Sequence, residues 1–304
     1  MTAVDLGSNT LRAVEIACDT LEPLKCYEKI VATADGLHET GKISEAAAGR
    51  IVEALHEARK TLDFTGPLVA VTTEAVRRAS NAAEVLERIA RESGIRFRVI
   101  TGSEEAQLTL IAVKHRLEKL GLESENFVMA DIGGGSTEIL FSDSKDVVSR
   151  SFPVGIVTVA QKYGSVEKIS EVLPHLMKEM AEFAKERRAE GNAPGLFVST
   201  AGTPTTVAAM RLGMSYATYD AARINGVLLT PEELHRQMRR LMALDKKSRQ
   251  ELVGVGREDL IAAGILIFEH LFSILGFEES VVIDDGLREG AAIAACKGLL
   301  NPAG

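Results

Sequence analysis

The segment Ala3-Val4-Asp5-Leu6-Gly7-Ser8-Asn9-Thr10 returns later in the chain as Met129-Ala130-Asp131-Ile132-Gly133-Gly134-Gly135-Ser136. Each copy is an apolar run, an Asp, an aliphatic residue, a Gly and small polar residues, followed by a second apolar run. That is the pattern of a strand, a tight Gly-rich turn and a returning strand. A chain whose two halves open alike reads as a duplication, with a cleft expected between the halves. At 304 residues each half is long enough to bury its own core.

The remaining pattern fits that restriction. Strands are expected at residues 2–4, 11–17, 26–32, 67–72 and 97–100, with helices at 44–62 and 81–93 and one opening at 101–105. Gly94 is expected to end the second of these helices, and Ser103 to cap the third. The second half is expected to have strands at 127–130, 138–141, 196–199 and 281–283. Its helices are expected at 166–190 (interrupted near Pro174), 205–212, 231–244 and 259–275, with a last helix within 286–300. Strands alternating with helices specify an α/β protein.

The loop chemistry differs from that of the common nucleotide loops. A Walker loop ends in Lys and Ser or Thr, and a dinucleotide fingerprint opens straight into a helix; here a strand follows each loop. Gly7, Gly133, Gly134 and Gly135 let the backbone turn sharply and bring amide groups toward an oxyanion. Ser8, Asn9, Thr10, Ser136 and Thr137 add hydroxyl and amide donors. Asp5 and Asp131, at the strand ends, suit a hydrated divalent cation or a bound water, with Glu138 as a supporting carboxylate.

Six motifs together resemble the exopolyphosphatase and guanosine pentaphosphate phosphohydrolase (Ppx/GppA) family, in its short two-domain form. They are residues 5–12 (DLGSNTLR), 73–79 (TEAVRRA), 101–108 (TGSEEAQL), 131–138 (DIGGGSTE), 201–208 (AGTPTTVA) and 284–290 (DDGLREG). The resemblance spans nearly the whole chain. It implies two actin-like, ribonuclease H-like domains of the sugar-kinase, heat-shock and actin superfamily with an interdomain cleft. The first would be residues 1–112 with the C-terminal helix 285–304 packed back on it, the second residues 113–284.

The resemblance also implies roles. Glu105 falls at the position of the family's catalytic Glu, where a carboxylate would orient or deprotonate the attacking water. Glu104 is the weaker candidate, because a helix turns neighbouring residues about 100° apart. Arg77 matches a phosphate-contacting arginine, Arg78 is expected in solvent, and Arg288 is expected in a salt bridge that holds the last helix. Asp131 and Glu138 would serve Mg2+, with Asp5 supporting it from the other loop. Residues 201–208 match the superfamily segment that packs beside the nucleotide; in a phosphatase acting on polyphosphate it would be a structural relic, whereas a kinase would still use it, and the sequence leaves both open. Longer family members append a helical domain rich in His-Asp pairs; this sequence stops near the end of the two-domain core.

Composition bounds the partners. The formal charge of -8 argues against a surface devoted to nucleic acid or anionic membrane. It leaves room for a phosphate substrate, small or polymeric, held by backbone amides. Cys18, Cys26 and Cys296 are too few for a disulfide framework, although Cys18 and Cys26 lie where a hairpin would bring them together; free thiols are expected. The six histidines lack metal-ligand spacing. With the first strand starting at residue 2 and no membrane-length apolar run, the expected location is cytoplasmic. Monomer and homodimer both remain open.

The expected activity is release of terminal phosphate from inorganic polyphosphate or guanosine pentaphosphate, placing the protein near the stringent response. An ATP-dependent small-molecule kinase of the same superfamily is the alternative enzyme. A nucleotide-binding regulatory module without turnover is the alternative non-enzyme.

Overall fold

The computed structural model describes residues 1–143, 145–191 and 193–301. The chain divides into two compact units, Met1–Val113 with Asp285–Gly304, and Lys114–Asp284. Each is built on one mixed sheet with helices packed against it, the α/β class expected from the sequence.

In the first unit the strands are β1 (Thr2–Leu6), β2 (Thr10–Ile16), β3 (Pro23–Ile30), β4 (Leu68–Thr72) and β5 (Arg98–Val99). The helices are α1 (Leu37–Thr40), α2 (Glu45–Ala58), α3 (Glu74–Arg78), α4 (Ala82–Ser93) and α5 (Gly102–Leu120), the last running across the unit boundary. The sheet order is β3-β2-β1-β4-β5, antiparallel among the first three and parallel from β1 to β5. The second unit has β6 (Phe127–Ile132), β7 (Thr137–Ser142), β8 (Val147–Phe152), β9 (Leu196–Thr200), β10 (Val227–Leu229) and β11 (Ser280–Val282). Its helices are α6 (Ile156–Tyr163), α7 (Val166–Leu176), α8 (Lys178–Ala189), α9 (Gly202–Arg211), α10 (Ala221–Ile224), α11 (Pro231–Met242), α12 (Lys246–Val253) and α13 (Ile261–Leu275). The order β8-β7-β6-β9-β11 repeats the first sheet strand for strand, and β10 adds an antiparallel edge. The internal repeat in the sequence is therefore a repeat of sheet topology.

Strand alternation decides which helix covers which face. Val4, Leu6, Leu11, Ala13 and Ala70 face α2 and α4 through Ile51, Leu55, Val85 and Ile89. Ala3, Val14, Ile16, Val69 and Val71 face the last helix, α14 (Leu287–Cys296), through Ala291, Ala292, Ile293 and Ala294. In the second unit α13 is buried along most of its length, and Phe197 of β9 packs edge-on against Phe272 at 5.3 Å. Among the described residues no helix is long and apolar enough to cross a membrane.

Several expectations need correction. Cys18 and Cys296 form a disulfide instead of remaining thiols. Cys26 pairs in register with Val14, so it does not face Cys18 across the hairpin. The cysteines of the bond are 278 positions apart, and only the docking of α14 on the first sheet brings them together. Because Ile16 N–H reaches Met1 O beside Cys18, the C-terminal end of α14 lies at the start of β1. Its N-terminal end therefore lies toward the other end of β1, where Asp5 sits. Thr101, not Ser103, caps α5: its hydroxyl accepts from Glu104 N–H at 3.2 Å, and its own N–H donates to the Glu104 carboxylate at 2.8 Å. Two strands, β8 and β10, and the helices α1, α3, α6, α10 and α12 were absent from the sequence reading.

Candidate active site

The two Gly-rich turns are built alike. Gly7 N–H donates to Thr10 O at 3.0 Å, and Gly133 N–H donates to Ser136 O at 2.9 Å. Behind the first turn, Ser8 O accepts from Ala34 N–H, and Asn9 O accepts from Val31 and Ala32 N–H. Behind the second, Gly133 O and Gly134 O accept from Ile156 and Val157 N–H, in the first turn of α6. Gly155, which precedes α6, approaches so closely that a Cβ there would lie 2.5 Å from Gly134 O. Both loops are thus braced through carbonyls, and Gly155 is required for the bracing of the second.

Register carries the comparison outward from the loops. In the second unit Thr200, Asp131, Glu138 and Ser151 stand opposite one another on β9, β6, β7 and β8, a polar row across the sheet. In the first unit the matching positions are Val71, Asp5, Arg12 and Glu28. Beside the Asp shared by both copies of the repeat, one unit carries a guanidinium and the other a second carboxylate. Arg12 pairs with Glu28 at 3.3 Å. Glu138 is 3% exposed, and its Oε1 accepts from Ser136 Oγ at 2.7 Å and from Ser151 Oγ at 2.6 Å.

Asp5 has one carboxylate oxygen buried without a hydrogen-bond partner. Burial pushes its pKa up to about 6, while the nearby Arg12 and Arg288 guanidiniums oppose that rise. Arg288 belongs to a buried charged group with Glu289 and Asp285 at the start of α14; it pairs with Glu289, whose carboxylate also accepts from Gly286 N–H at 2.9 Å.

The adjacent carboxylates at the start of α5 are used differently. Glu104 closes the capping box with Thr101 and pairs with Arg98; the Thr101 N–H bond is the main cause of its lowered pKa. Glu105 turns toward Arg77 of α3, whose guanidinium lies 3.2 Å from its Oε2. Arg77 also donates to Ile100 O at 2.6 Å and to Glu74 at 2.9 Å. Arg78, by contrast, is largely exposed. Within the first unit the structure thus brings together Arg77 and Glu105; Asp131, Ser136 and Glu138 are brought together in the second. Residues 201–208 comprise the β9–α9 turn at Ala201, whose φ is +70°, and most of α9.

Four participants escaped the sequence reading: Arg12, Glu74, Ser151 and Gly155. Arg12 lies within the first motif, and its place opposite Asp5 follows from a two-residue-period hairpin. Ser151 had no such signal, because its strand was not recognised.

The oxygen-only pair Asp131 and Glu138 fits a hard divalent cation such as Mg2+, which keeps several waters and binds through one or two carboxylates plus substrate phosphate. Among the described residues no group of three or more His, Cys, Asp or Glu side chains forms a closed metal cage.

Residues 14–297 match the Ppx/GppA phosphatase family. The chain is similar to exopolyphosphatase 2 of Mycobacterium tuberculosis, 29% identical over 97% of this chain and 98% of that protein. It is similar also to exopolyphosphatase 1 of Mycobacterium leprae, 27% identical over 94% and 86%. The crystal structure of an Aquifex aeolicus Ppx/GppA family member superposes with a TM-score of 0.76 at 28% identity, covering 98% of this chain and 97% of that one. An exopolyphosphatase from Cytophaga hutchinsonii gives a TM-score of 0.82 at 21% identity over 99% of both chains, a likeness of fold. This chain belongs to the Ppx/GppA phosphatase family.

Proposed function

We propose that the protein is an exopolyphosphatase-type hydrolase that releases terminal phosphate from inorganic polyphosphate, with guanosine pentaphosphate as a second substrate of the same bond type. Glu105 activates the water. Arg77 and the two loops, formed by Gly7, Ser8, Asn9 and Thr10 and by Gly133, Gly134, Gly135 and Ser136, bind phosphate. The carbonyls of Ser8, Asn9, Gly133 and Gly134 are engaged behind the turns and the Gly7 and Gly133 amides close them, so the amides between are the groups suited to meet an anion. Asp131 and Glu138 would hold Mg2+, with Asp5 acting through water; the ion would neutralise phosphate charge in the transition state.

The observation that supports this reading best is the division between Glu104 and Glu105. One is committed to a capping box; the other is held beside the arginine that would meet phosphate. The similarity to proteins named exopolyphosphatase points to the same bond.

The test is phosphate release from polyphosphate, guanosine pentaphosphate and ATP, with Mg2+ and with chelator. Release from the first two, abolished by chelator, is expected. ATP turnover that needs a small-molecule acceptor would establish a kinase instead. Undiminished release in chelator would remove the metal from the reaction.

A further inference from the structure

We propose that Ser151 is a positioning residue for Glu138, fixing that carboxylate for the divalent cation. The proposal rests on the assignment of Asp131 and Glu138 to Mg2+. Ser151 stands directly opposite Glu138 on the edge strand β8, and its hydroxyl donates to Glu138 Oε1 at 2.6 Å. Ser136 donates to the same oxygen at 2.7 Å. Two donors converging on one oxygen define the rotamer of the carboxylate and leave the orientation of Oε2 determined.

The other unit shows why the donor type matters. At the positions equivalent to Glu138 and Ser151 it carries Arg12 and Glu28, an ion pair 3.3 Å apart in which each charge is answered by its opposite. The two hydroxyl donors orient Glu138 and bring no charge of their own. Oriented ligands bind a cation more tightly than mobile ligands. Ser136 lies in the phosphate loop and is drawn to substrate in the proposed reaction. Ser151 lies outside that loop, so its bond to Glu138 persists whichever partner Ser136 takes.

The test compares Ser151→Thr with Ser151→Val, two residues of similar shape that suit an edge strand and differ in the hydroxyl. Mg2+ is titrated calorimetrically into the full chain in the presence of inorganic phosphate, alongside kcat and KM at limiting and saturating Mg2+. The Val variant is expected to bind Mg2+ roughly 10-fold or more weakly, with Thr close to wild type. Saturating Mg2+ should restore most of the Val variant's kcat. A merely structural role would lower the melting temperature and leave Mg2+ affinity unchanged. If Glu138→Gln loses Mg2+ while Ser151→Val binds it as wild type does, the role of Ser151 is refuted and the metal assignment stands. If Asp131→Asn and Glu138→Gln both bind Mg2+ normally, the metal assignment falls and takes this proposal with it.

Discussion

Arg77 holds Glu105 by a guanidinium–carboxylate contact of 3.2 Å, while the neighbouring Glu104 points to Thr101 and Arg98. The two acids differ by one position and by about 100° on the helix, which gives them different partners and sets the role proposed for Glu105 apart from the capping role of Glu104. Glu105→Gln keeps the shape and removes the base, so kcat is expected to fall roughly 10²–10⁴-fold, with much less change in substrate binding. Glu104→Gln should retain kcat and change stability little, because Gln closes the same capping box and the exposed pair with Arg98 contributes little. Steady-state kinetics and denaturant unfolding of both variants decide the matter. Equal losses of kcat would remove the assignment of Glu105.

Asp5 makes stability depend on pH with an unusual sign. Its folded-state pKa, about 6, lies above the ordinary value of 3.8, so the folded protein holds this proton where the unfolded chain has already released it. Stability from this group is therefore present below about pH 4 and is lost as pH rises through about 6. The ceiling on that loss is about 3 kcal/mol, reduced by whatever solvent reaches the half-buried residue. Asp5→Asn should be more stable than wild type at pH 7.5, and the difference should close near pH 4. Urea unfolding of both proteins across this range is the measurement. A pH-independent difference would contradict the buried, unpartnered state of the carboxylate.

The disulfide was hidden from the sequence for a specific reason. Cys18 and Cys296 carry no local signal, since their proximity depends on small residues of α14 docking against Ala3, Val14 and Val71. The same contrast runs through the molecule. The two loops, the α/β class and the correspondence of Asp5 with Asp131 in the repeat were legible because they are local motifs with a two-residue period. The caps were half legible: Thr101 and Ser103 both suit the start of α5, and only the bond from Glu104 N–H selects Thr101. The row Thr200-Asp131-Glu138-Ser151 was not legible, because it requires the register of four strands. β8 escaped because VVSRSF carries only a weak alternation and forms an exposed edge.

Reduction is expected to destabilise the first unit. The bond closes a loop of 278 residues, for which chain entropy sets a ceiling on the order of 5 kcal/mol. Thermal unfolding with and without dithiothreitol should show a lower Tm on reduction. Cys18→Ser should unfold at that lower temperature under both conditions. Three titratable thiols in the untreated native protein, with a Tm indifferent to reductant, would show that the bond does not form.

Substrate length is the last expectation, and it follows from where the cations are. Several of the basic residues that could meet a long polyanion already have partners within their own unit. Arg77 is shared between Glu74 and Glu105, Arg78 lies 3.9 Å from Glu74, and Lys114 pairs with Glu125 at 3.0 Å. Arg211 donates to Leu228 O. Each phosphate held beyond the loops would need a cation of its own, and exposed attraction of that kind weakens as salt rises. The formal charge of -8 repels the rest of a long chain. Short polyphosphates and guanosine pentaphosphate are therefore expected to be preferred over chains of hundreds of units, with affinity levelling off after the first few phosphates. Phosphate release across a graded series at constant ionic strength measures this directly. Efficiency that climbs to the longest chains, with no intermediates accumulating, would require an extended basic track, while leaving the two phosphate loops as assigned.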